Sequence, residues 1–471
     1  MMADLKTLAN LVGGELHGSN AMFDTVSTDS RKVNFNSLFV ALVGPNFDGN
    51  DFVVKAQENG AAGALVSTLQ KHSLLDQVLV KDTLKAMQEF SSCWRKQFNI
   101  PVVGITGSNG KTTTKTMLKN ILSQSHSVHA TEGNFNNEIG VPLTLLELRD
   151  QHQMSIIEMG ANHRAEIGEL AKLAKPKIGV ITNTSVAHLE GFNDLEGVVR
   201  TKGELFQALP SDGVAIINAE SKGSLFLSKL ASHCEQINFG FGSAVDVQVR
   251  AVRNVITDAG VKQIFSMRTP SWETEVEMNL LGTHNALNAA AATAAAYSLG
   301  IERVDIVNGL REMHAVKGRF NVHKLGSGGC LIDDSYNANP ASMQAAIDTA
   351  MKLGHPVWFV MGDMFEMGEA ADHHHAVVGN YANKAGVTRL FAVGQHSKAA
   401  VNAFGKAGHW FEDIEDLSMY VNQEMAATMN PVTALVKASR GMHFERIVKE
   451  LNKHFIEATG QYRKLNNGEP D

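Results

Sequence analysis

The sequence has few cysteines and no long hydrophobic segment. Its three cysteines, Cys93, Cys234 and Cys330, lie far apart and form no Cys-x-x-Cys pair. This spacing excludes a disulfide framework and a zinc knuckle, and so few cysteines are typical of a reducing compartment. Residues 1–14 carry no apolar core behind a basic start, so no secretory signal is predicted. The most apolar run, residues 286–299, is too short to span a bilayer, and we expect a cytoplasmic protein without membrane insertion.

Basic residues are also not in excess over acidic residues in this chain. The chain has 42 lysines and arginines against 49 aspartates and glutamates, a formal net charge of -7. This balance argues against a nucleic-acid-binding surface as the main purpose, and no nucleic-acid partner is expected. The length of 471 residues, with 44% apolar and 19% charged residues, is typical of a globular protein. A chain of this length favours about two to four domains.

A glycine-rich turn lies between a predicted strand and a predicted helix. Residues 102–106 are typical of a buried strand, and residues 107–110 read Gly-Ser-Asn-Gly. From Lys111 onwards apolar residues recur at helical spacing. Glycines allow a tight turn and a close approach, and the free N–H groups and dipole of the helix start favour a polyphosphate. Lys111 can reach the terminal phosphates, and the Thr112 hydroxyl can ligate Mg²⁺.

This turn is a variant of the phosphate-binding P-loop. The strict pattern has another glycine before Gly110, at a position where this chain has Ile105. An ordinary strand–turn–helix with a surface lysine is the alternative. We favour the P-loop, because Gly-Lys-Thr in this context has few other physical uses.

Three α/β domains are predicted along the chain. Residues 1–82 form a small α/β domain, and residues 83–316 contain the P-loop in a mostly parallel sheet with helices on both faces. Within them, residues 235–280 change to a two-residue period, which predicts an appended antiparallel segment. Residues 317–471 predict a Rossmann-like, doubly wound domain. The predicted strands include 37–43, 102–106, 154–158, 178–183, 214–218, 330–334, 357–363, 390–394 and 432–437.

Polar residues follow two strands of the predicted parallel sheet. Glu158 closes one strand, and His188 comes shortly after another. In such sheets ligands bind at the carboxyl ends of the strands, and a carboxylate and an imidazole near nucleotide phosphates suit a divalent metal. A lone glutamate at a strand end is more often a solvated side chain, but the P-loop in the same sheet favours the metal role.

Other polar positions allow two interpretations. Ser30 and Arg31 either bind an anionic group or form a plain surface turn. Lys202 by itself is typical of an exposed lysine near a helix start. Asn285 either meets a base or caps the alanine-rich helix that follows it.

Together, these motifs resemble the ATP-dependent Mur ligase family, in an order that spans all three domains. The resemblance rests on Thr106-Gly107-Ser108-Asn109-Gly110-Lys111-Thr112-Thr113, Asn136-Asn137-Glu138-Ile139-Gly140-Val141-Pro142, Glu158-Met159-Gly160-Ala161, His188, His284-Asn285 and Gly318-Arg319-Phe320. Residues 334–340 and 437–442 resemble the members of the family that use D-alanyl-D-alanine. Ala438, Gly441 and Arg164 depart from the residues more common in the family.

The resemblance implies a three-domain, monomeric ATP-dependent amide ligase of peptidoglycan synthesis that acts through an acyl phosphate. The first domain would hold UDP-N-acetylmuramoyl-tripeptide, with Ser30 and Arg31 near its diphosphate and Asn137 as a further substrate-binding residue. The central domain would bind Mg-ATP, with Asn285 and Asn288 on the adenine side. The third domain would close over ATP and bring D-alanyl-D-alanine.

The resemblance also implies roles for single residues. The nucleotide would be contacted by Thr106, Gly107, Ser108, Asn109, Gly110, Lys111, Thr112, Thr113, Asn285, Asn288, Arg319 and Asp334. Thr112 and Glu158 would ligate one Mg²⁺, and His188 a second. Lys202 matches a lysine that in related ligases is carboxylated by CO₂ and then bridges metal ions. The expected catalytic set is Lys111, Glu158, His188 and Lys202.

Other functions remain as alternatives. A sister ligase, which adds the third peptide residue, usually carries an Asn-Pro-Arg element in its C-terminal domain, and this chain has none. A folate polyglutamate ligase would lack the N-terminal domain. A regulator that uses its P-loop as a switch does not need Glu158, His188 and Lys202 together. No recognisable motif reads the third residue of the acceptor peptide, diaminopimelate or lysine.

Overall fold

The structure, a computed structural model, describes residues 1–185, 189–192, 194–257, 260–325, 328–428 and 430–452. Three large β-sheets follow one another along the chain, with helices packed against them. The predicted fold class is confirmed: an α/β protein with a small N-terminal sheet, a central parallel sheet with an antiparallel extension, and a C-terminal doubly wound sheet. None of the described helices combines the length and the apolar character needed to cross a membrane.

The N-terminal region contains β1 Ala3–Asp4, α1 Leu5–Val12, β2 Glu15–His17, β3 Met22–Phe23, β4 Thr25–Ser27, β5 Ser37–Val40, β6 Val43–Gly44, β7 Phe47–Asp48, α2 Val53–Glu58, β8 Ala61–Val66 and β9 Asp76–Leu79. Its main sheet has the order β2-β9-β8-β5-β4. The strand predicted over 37–43 is too long, because Leu42 N–H donates back to the Val40 carbonyl at 3.1 Å and turns the chain. The next residues instead form the β6–β7 hairpin.

The central region contains α3 Thr83–Arg95, β10 Val102–Thr106, α4 Lys111–Leu122, β11 Val128–Ala130, α5 Gly140–Leu146, β12 Met154–Glu158, α6 Glu166–Ala174, β13 Ile178–Ile181, α7 Leu189–Phe192, α8 Leu195–Gln207, β14 Val214–Asn218, α9 Ser224–Leu230, β15 Glu235–Gly240, β16 Val247–Thr257, β17 Gly260–Arg268, β18 Glu273–Met278, α10 Thr283–Ser298 and α11 Arg303–Arg311. The sheet order is β11-β12-β10-β13-β14-β15-β16-β17-β18. The P-loop strand β10 lies between β12 and β13, and Ile105 stands opposite Glu158. The P-loop and Glu158 therefore share one edge of the sheet.

The antiparallel prediction for residues 235–280 is wrong in its first part. β15 pairs in parallel with β14, and β16 begins in parallel with β15, so antiparallel pairing starts only between β16 and β17. The reason is that β15 follows the crossover helix α9, which returns the chain in the parallel direction. The sequence pattern also overlooks β11, and the strand predicted over 178–183 ends at Ile181.

Helix α4 carries the P-loop lysine at its first position and buries its predicted apolar face. Met117, Leu118, Ile121 and Leu122 are fully buried. They pack in one cluster with the side chains of β10 and the alanines of α10. Burial of such side chains contributes about 1.5–3 kcal/mol each. This packing fixes the start of α4, and with it the P-loop, against the sheet.

The C-terminal region contains β19 Asn321–Lys324, β20 Cys330–Asp333, α12 Pro340–Met351, β21 Val357–Met361, α13 Ala371–Ala385, β22 Arg389–Val393, α14 Ser397–Phe404, β23 Gly408–Phe411, α15 Ile414–Ala427 and β24 Thr433–Lys437. Its sheet has the order β19-β20-β24-β21-β22-β23, and every pair except β19–β20 is parallel. Short 3-10 helices cover Ser30–Lys32, Gly49–Phe52, Gly368–Ala370 and Arg440–Met442.

Candidate functional site

A cavity of about 520 Å³ lies between the P-loop and the C-terminal region. One wall consists of the P-loop and the start of α10, and the other of the loops that follow β20, β21 and β24. Of the residues predicted to contact a nucleotide, all except Thr106 and Gly107 line this cavity. The volume is within the usual range for small-molecule sites.

The two glycines of the P-loop turn permit contacts that no other residue would allow. Gly110 has a φ of 80°, and a Cβ there would lie 2.3 Å from Oδ1 of Asn288. Gly107 has a φ of 150°, and a Cβ there would lie 1.9 Å from Oγ1 of Thr182. The turn therefore depends on the absence of side chains at both positions.

Residues after β13 hold the P-loop backbone in place. Thr182 Oγ1 and Asn183 Nδ2 donate to the Asn109 carbonyl at 2.6 Å and 2.9 Å, and the Asn109 N–H donates to Asn183 Oδ1 at 3.1 Å. Sequence reasoning missed both supports, since a single threonine or asparagine at a strand end carries no motif. These bonds pre-form the loop before any ligand binds.

Lys111 occupies a half-buried position at the cavity wall. Its Nζ donates to the Gly107 carbonyl at 2.8 Å. Burial lowers the pKa of Lys111 below its ordinary value, the Glu158 carboxylate raises it, and Arg319 lowers it further. A bound anion would offset this desolvation, so the ammonium group is well suited to phosphate oxygens.

Glu158 is buried beside the P-loop helix. Its Oε1 accepts hydrogen bonds from Asn136 Nδ2 at 2.8 Å and Thr112 Oγ1 at 3.2 Å, and its Oε2 lies 3.3 Å from Lys115 Nζ. Within the described residues Oε2 accepts no hydrogen bond. Thr112 and Glu158 are thus brought together. The contacts of Lys115 and Asn136 with Glu158 were not predicted, although Asn136 belongs to a motif of the resemblance, because their partner is distant in the chain.

The hydroxyl of Thr112 and Oε2 of Glu158, which is paired with Lys115 but accepts no hydrogen bond from a described residue, are oxygen ligands of the kind that Mg²⁺ prefers. In the part of the chain that the structure describes, no group of three or more His, Cys, Asp or Glu side chains converges on a metal site. A cation here would therefore use these two residues together with nucleotide oxygens. The third predicted ligand, His188, lies outside the described residues.

Lys202 is not the exposed lysine at a helix start that its local sequence suggests. It lies in the middle of α8 and is 1% exposed. Its ammonium nitrogen is 5.7 Å from the centre of the Phe192 ring, and it makes no hydrogen bond or ion pair with a described residue. Burial, with a smaller effect of Lys111, holds the pKa of Lys202 well below its ordinary value. Lys202 shares the buried face of α8 with Val198, Val199, Leu205 and Phe206, so the helical spacing of these apolar residues is the signal that could have revealed its burial.

The start of α10 presents polar side chains to the cavity. Asn288 Nδ2 donates to Asn285 Oδ1 at 3.2 Å, and Asn285 Nδ2 donates to the Leu281 carbonyl at 2.8 Å. Gly282 is the N-cap of this helix, so the capping alternative for Asn285 is wrong. His284 also lines the cavity, and burial lowers its pKa to about 4.

The C-terminal wall is built around a buried ion pair. Lys437 Nζ lies 2.6 Å from Asp334 Oδ2, and Asp334 Oδ1 accepts the Phe320 N–H at 3.0 Å. The Arg319 guanidinium packs 4.1 Å from the centre of the Tyr336 ring. Burial lowers the pKa of Lys437, while Asp334 raises it. These contacts fix Asp334 and Arg319 on the side of the cavity that faces the P-loop.

Comparison with known proteins identifies the family. The family model described as Mur ligase middle domain matches residues 105–296, and that described as Mur ligase, glutamate ligase domain matches residues 318–451. The UDP-N-acetylmuramoyl-tripeptide--D-alanyl-D-alanine ligase of Escherichia coli strain K12 is 37% identical over 450 residues, which cover 96% of this chain and 98% of the relative. The chain belongs to the Mur ligase family.

Other relatives are similar to this Mur ligase in both sequence and structure. The Bacillus subtilis strain 168 protein with the same name is 34% identical over 468 residues, 95% of this chain and 98% of its own. A crystal structure of MurF from Acinetobacter baumannii has a TM-score of 0.89 at 31% identity and covers 95% of this chain and 98% of its own. The MurF ligase from Thermotoga maritima in complex with ADP has a TM-score of 0.81 at 25% identity, with 92% and 98% covered.

The predicted substrate-binding residues of this Mur ligase, Ser30, Arg31 and Asn137, do not line the cavity. Arg31 is exposed and donates from Nε and Nη2 to the two Asp29 oxygens, both at 2.9 Å. Ser30 is buried, and its carbonyl accepts from Asn59 Nδ2 at 2.8 Å. Asn137 Oδ1 accepts the Gly140 N–H at 2.9 Å near the start of α5. Their substrate role stays a prediction.

A pair of asparagines joins the P-loop of this Mur ligase to the C-terminal region, and the longer of their two hydrogen bonds runs from Asn109 Nδ2 to Asn339 Oδ1 at 3.5 Å. Asn339 Nδ2 donates to Asn109 Oδ1 at 2.7 Å. Asn339 is also the N-cap of α12, where its Oδ1 accepts the Ser342 N–H at 2.9 Å. The same side chain therefore caps a helix and bridges the two walls of the cavity.

We expect Asn339→Ser to weaken ADP binding about fivefold without a large loss of stability. Serine retains the N-cap but is too short to reach Asn109, and one net hydrogen bond contributes about 1 kcal/mol. Asn339→Ala should lose both functions, with a further cost of about 1 kcal/mol in the free energy of unfolding. Calorimetric titration with ADP and thermal unfolding would separate the two effects. Unchanged ADP affinity in the serine variant would contradict a role for the bridge.

Proposed function

We propose that this protein is an ATP-dependent amide ligase that joins D-alanyl-D-alanine to UDP-N-acetylmuramoyl-tripeptide, giving ADP, phosphate and a pentapeptide product. The observation that carries the proposal is full-length similarity to ligases of that name, at 37% identity over 96% of this chain in one case. The cavity supports it, since it combines a P-loop with cationic residues of a second region.

The reaction has to overcome the poor electrophilicity of a carboxylate. Transfer of the γ-phosphoryl group of ATP to the peptide carboxylate gives an acyl phosphate and ADP. The amine of the dipeptide then attacks the acyl carbon, phosphate leaves with the C–O electron pair, and the amine loses its proton. The first step brings two anions together, so positive groups at the phosphates are essential.

Several residues of this chain are suited to that first step. Lys111 and the N–H groups at the start of α4 would bind the β- and γ-phosphates. Arg319 stands across the cavity and would approach the γ-phosphate, where negative charge has to be stabilised during transfer. Asn285 and Asn288 would face the adenine side, and Asp334, fixed by Lys437, would contact the nucleotide from the C-terminal region.

Thr112 and Glu158 would hold a magnesium ion next to the phosphates. The buried Glu158 oxygen without a hydrogen bond is the feature of this chain that fits such an ion. When bound, Mg²⁺ would supply charge neutralisation at the phosphate oxygens. The proposal includes a second ion at His188. Lys115 and Asn136 keep the Glu158 carboxylate oriented towards the P-loop.

Carboxylation of Lys202 is part of the proposal. Only a neutral amine attacks CO₂, forming an N–C bond and releasing a proton to give a carbamate. Burial of Lys202 supports this chemistry because it favours the neutral amine. The resulting negative charge would be stabilised by nearby cations, of which Lys111 is one.

In this proposal the N-terminal region binds the acceptor substrate. Ser30, Arg31 and Asn137 would contact the UDP-linked substrate, while the C-terminal region would close over ATP and exclude water from the acyl phosphate. A cytoplasmic location is supported by the need for ATP. The monomeric state remains a prediction.

The test is ADP release by purified protein given ATP, Mg²⁺ and UDP-N-acetylmuramoyl-tripeptide, with and without D-alanyl-D-alanine. We expect ADP only when the dipeptide is present, together with a pentapeptide of matching mass. Separate assays with diaminopimelate and lysine tripeptides would identify the third residue. ADP formation that ignores the dipeptide, or that needs a single amino acid instead, would contradict the proposal in favour of a switch or a sister ligase.

A further inference from the structure

One cation of the cavity has no role in the proposed nucleotide contacts. The lysines and arginines that line it are Lys111, Arg319, Lys437 and Arg440. Lys437 is neutralised by Asp334, and the proposed function assigns Lys111 and Arg319 to the phosphates. His284 is uncharged at neutral pH, because burial lowers its pKa to about 4. Arg440 is thus the remaining cation of this cavity in the described residues.

Arg440 is held in a position where it can bind a carboxylate. It begins the 3-10 helix that follows β24, and its guanidinium lies 5.5 Å from the centre of the Tyr336 ring, the same ring that supports Arg319. Its Nη1 donates to Oε1 of Glu445 at 3.0 Å, and no other Arg440 nitrogen donates to a described residue. The aromatic ring restrains the guanidinium plane, and the remaining donors are available for a carboxylate.

The ion pair with Glu445 does not by itself explain an arginine here. The Arg440 and Glu445 side chains are 56% and 35% exposed. Exposed pairs of this kind contribute about 0–1 kcal/mol to stability. The pair instead shows that the guanidinium can donate to a carboxylate oxygen from this position.

The surroundings of Arg440 match the dipeptide better than they match ATP. Phe365 and Met367 line the same cavity, and Phe365 is 43% exposed, so it offers apolar surface to alanine methyl groups. The Phe365 N–H donates to Ser439 Oγ at 2.8 Å, which ties this loop to the residue before Arg440. An extended dipeptide separates its amine from its carboxylate by roughly 7 Å. The carboxylate is therefore expected at the edge, away from the phosphates.

We propose that Arg440 binds the terminal carboxylate of the D-alanyl-D-alanine substrate and so determines which amines are accepted. This inference rests on the proposed function and names the residue that reads one end of the dipeptide. Tyr336 is the positioning residue that orients the guanidinium.

The test compares Arg440→Met with wild type on D-alanyl-D-alanine and on its C-terminal amide, which lacks the carboxylate charge. Loss of a charge-assisted hydrogen bond should raise the KM for the dipeptide about 10- to 100-fold. The KM values for ATP and for UDP-N-acetylmuramoyl-tripeptide should stay within about twofold, because Arg440 contacts neither. Wild type should prefer the acid over the amide, and the variant should use both equally poorly.

Two further variants keep the result interpretable. Arg440→Lys retains the charge and should recover part of the preference for the acid. Arg446→Met is the matched control, since Arg446 is 54% exposed, lies 3.5 Å from Glu415 and does not line the cavity. It should leave every KM unchanged.

Four results would overturn the inference. A raised KM for ATP with an unchanged KM for the dipeptide would make Arg440 a phosphate ligand. A preference for the acid that persists in Arg440→Met would place carboxylate recognition elsewhere. Wild-type protein that forms no ADP with the dipeptide would remove the proposed function and this inference together, whereas normal wild-type kinetics with unaffected Arg440 variants would remove this inference alone.

Discussion

Lys111→Ala should lower kcat for ADP release roughly 10³-fold while the protein stays folded. Removal of one preorganised group that stabilises developing negative charge typically costs about 10²–10³ in kcat. Lys111 is the lysine of the P-loop and would contact the terminal phosphates. Its one hydrogen bond within the described residues goes to the Gly107 carbonyl. Little stability is therefore lost with it. Steady-state ADP release at saturating ATP and dipeptide measures the effect.

The matched control for this variant is Lys119→Ala. Lys119 lies on the same helix, α4, but is exposed and does not line the cavity. It should retain wild-type kcat. Thermal unfolding of both variants would show whether a loss of activity is a loss of fold. Near-normal turnover in Lys111→Ala would contradict the assignment of the P-loop to ATP.

Lys202→Ala should lower kcat roughly 10²–10³-fold, and added formate or acetate should restore part of it. If the buried amine is converted to a carbamate, its removal deletes a negative group and leaves a space beside the P-loop. A small carboxylate can then enter and replace the missing charge. The same chemistry predicts that wild-type activity falls in buffer depleted of CO₂ and recovers with bicarbonate.

Lys229→Ala is the control for Lys202→Ala, since Lys229 lies on the neighbouring helix α9 and is exposed. It should show neither the loss nor the response to carboxylates. An inactive Lys202→Ala that no carboxylate concentration rescues would leave carboxylation without support. Full activity of the same variant would contradict any catalytic role for Lys202.

The sequence predicts the framework of the site because its strands have strong local patterns. The bounds of β10 and β12 agree with the predicted strands 102–106 and 154–158, and the apolar face of α4 is buried as its helical spacing predicts. β11 escaped prediction because three residues carry almost no periodicity. The sequence predicts the wrong direction for β15, because an alternating apolar and polar pattern identifies a strand but not the strand with which it pairs.

The side-chain contacts of the site are only partly predictable from the sequence. Glu158 and Thr112 were predictable as neighbours, since the P-loop and a strand end of the same sheet meet at one edge. Lys115 and Asn136 reach Glu158 only through the parallel register of β10 and β12 and the loop before α5, neither of which local sequence specifies. Lys202 lies three or four residues from Val198, Val199, Leu205 and Phe206 on the buried face of α8, so helical spacing could have placed it among apolar residues. What that spacing does not report is that Lys202 lies close enough to Lys111 for the two charges to interact.

The two walls of the cavity have a consequence for the order in which the protein is made. The phosphate-binding turn is complete by residue 113, but the opposite wall comes from residues 319–441. The ribosome therefore synthesises the whole P-loop wall before the opposite wall, and earlier domains fold as they emerge. Nucleotide cannot be enclosed, and an acyl phosphate cannot be protected from water, until residues 319–441 have also been synthesised and folded.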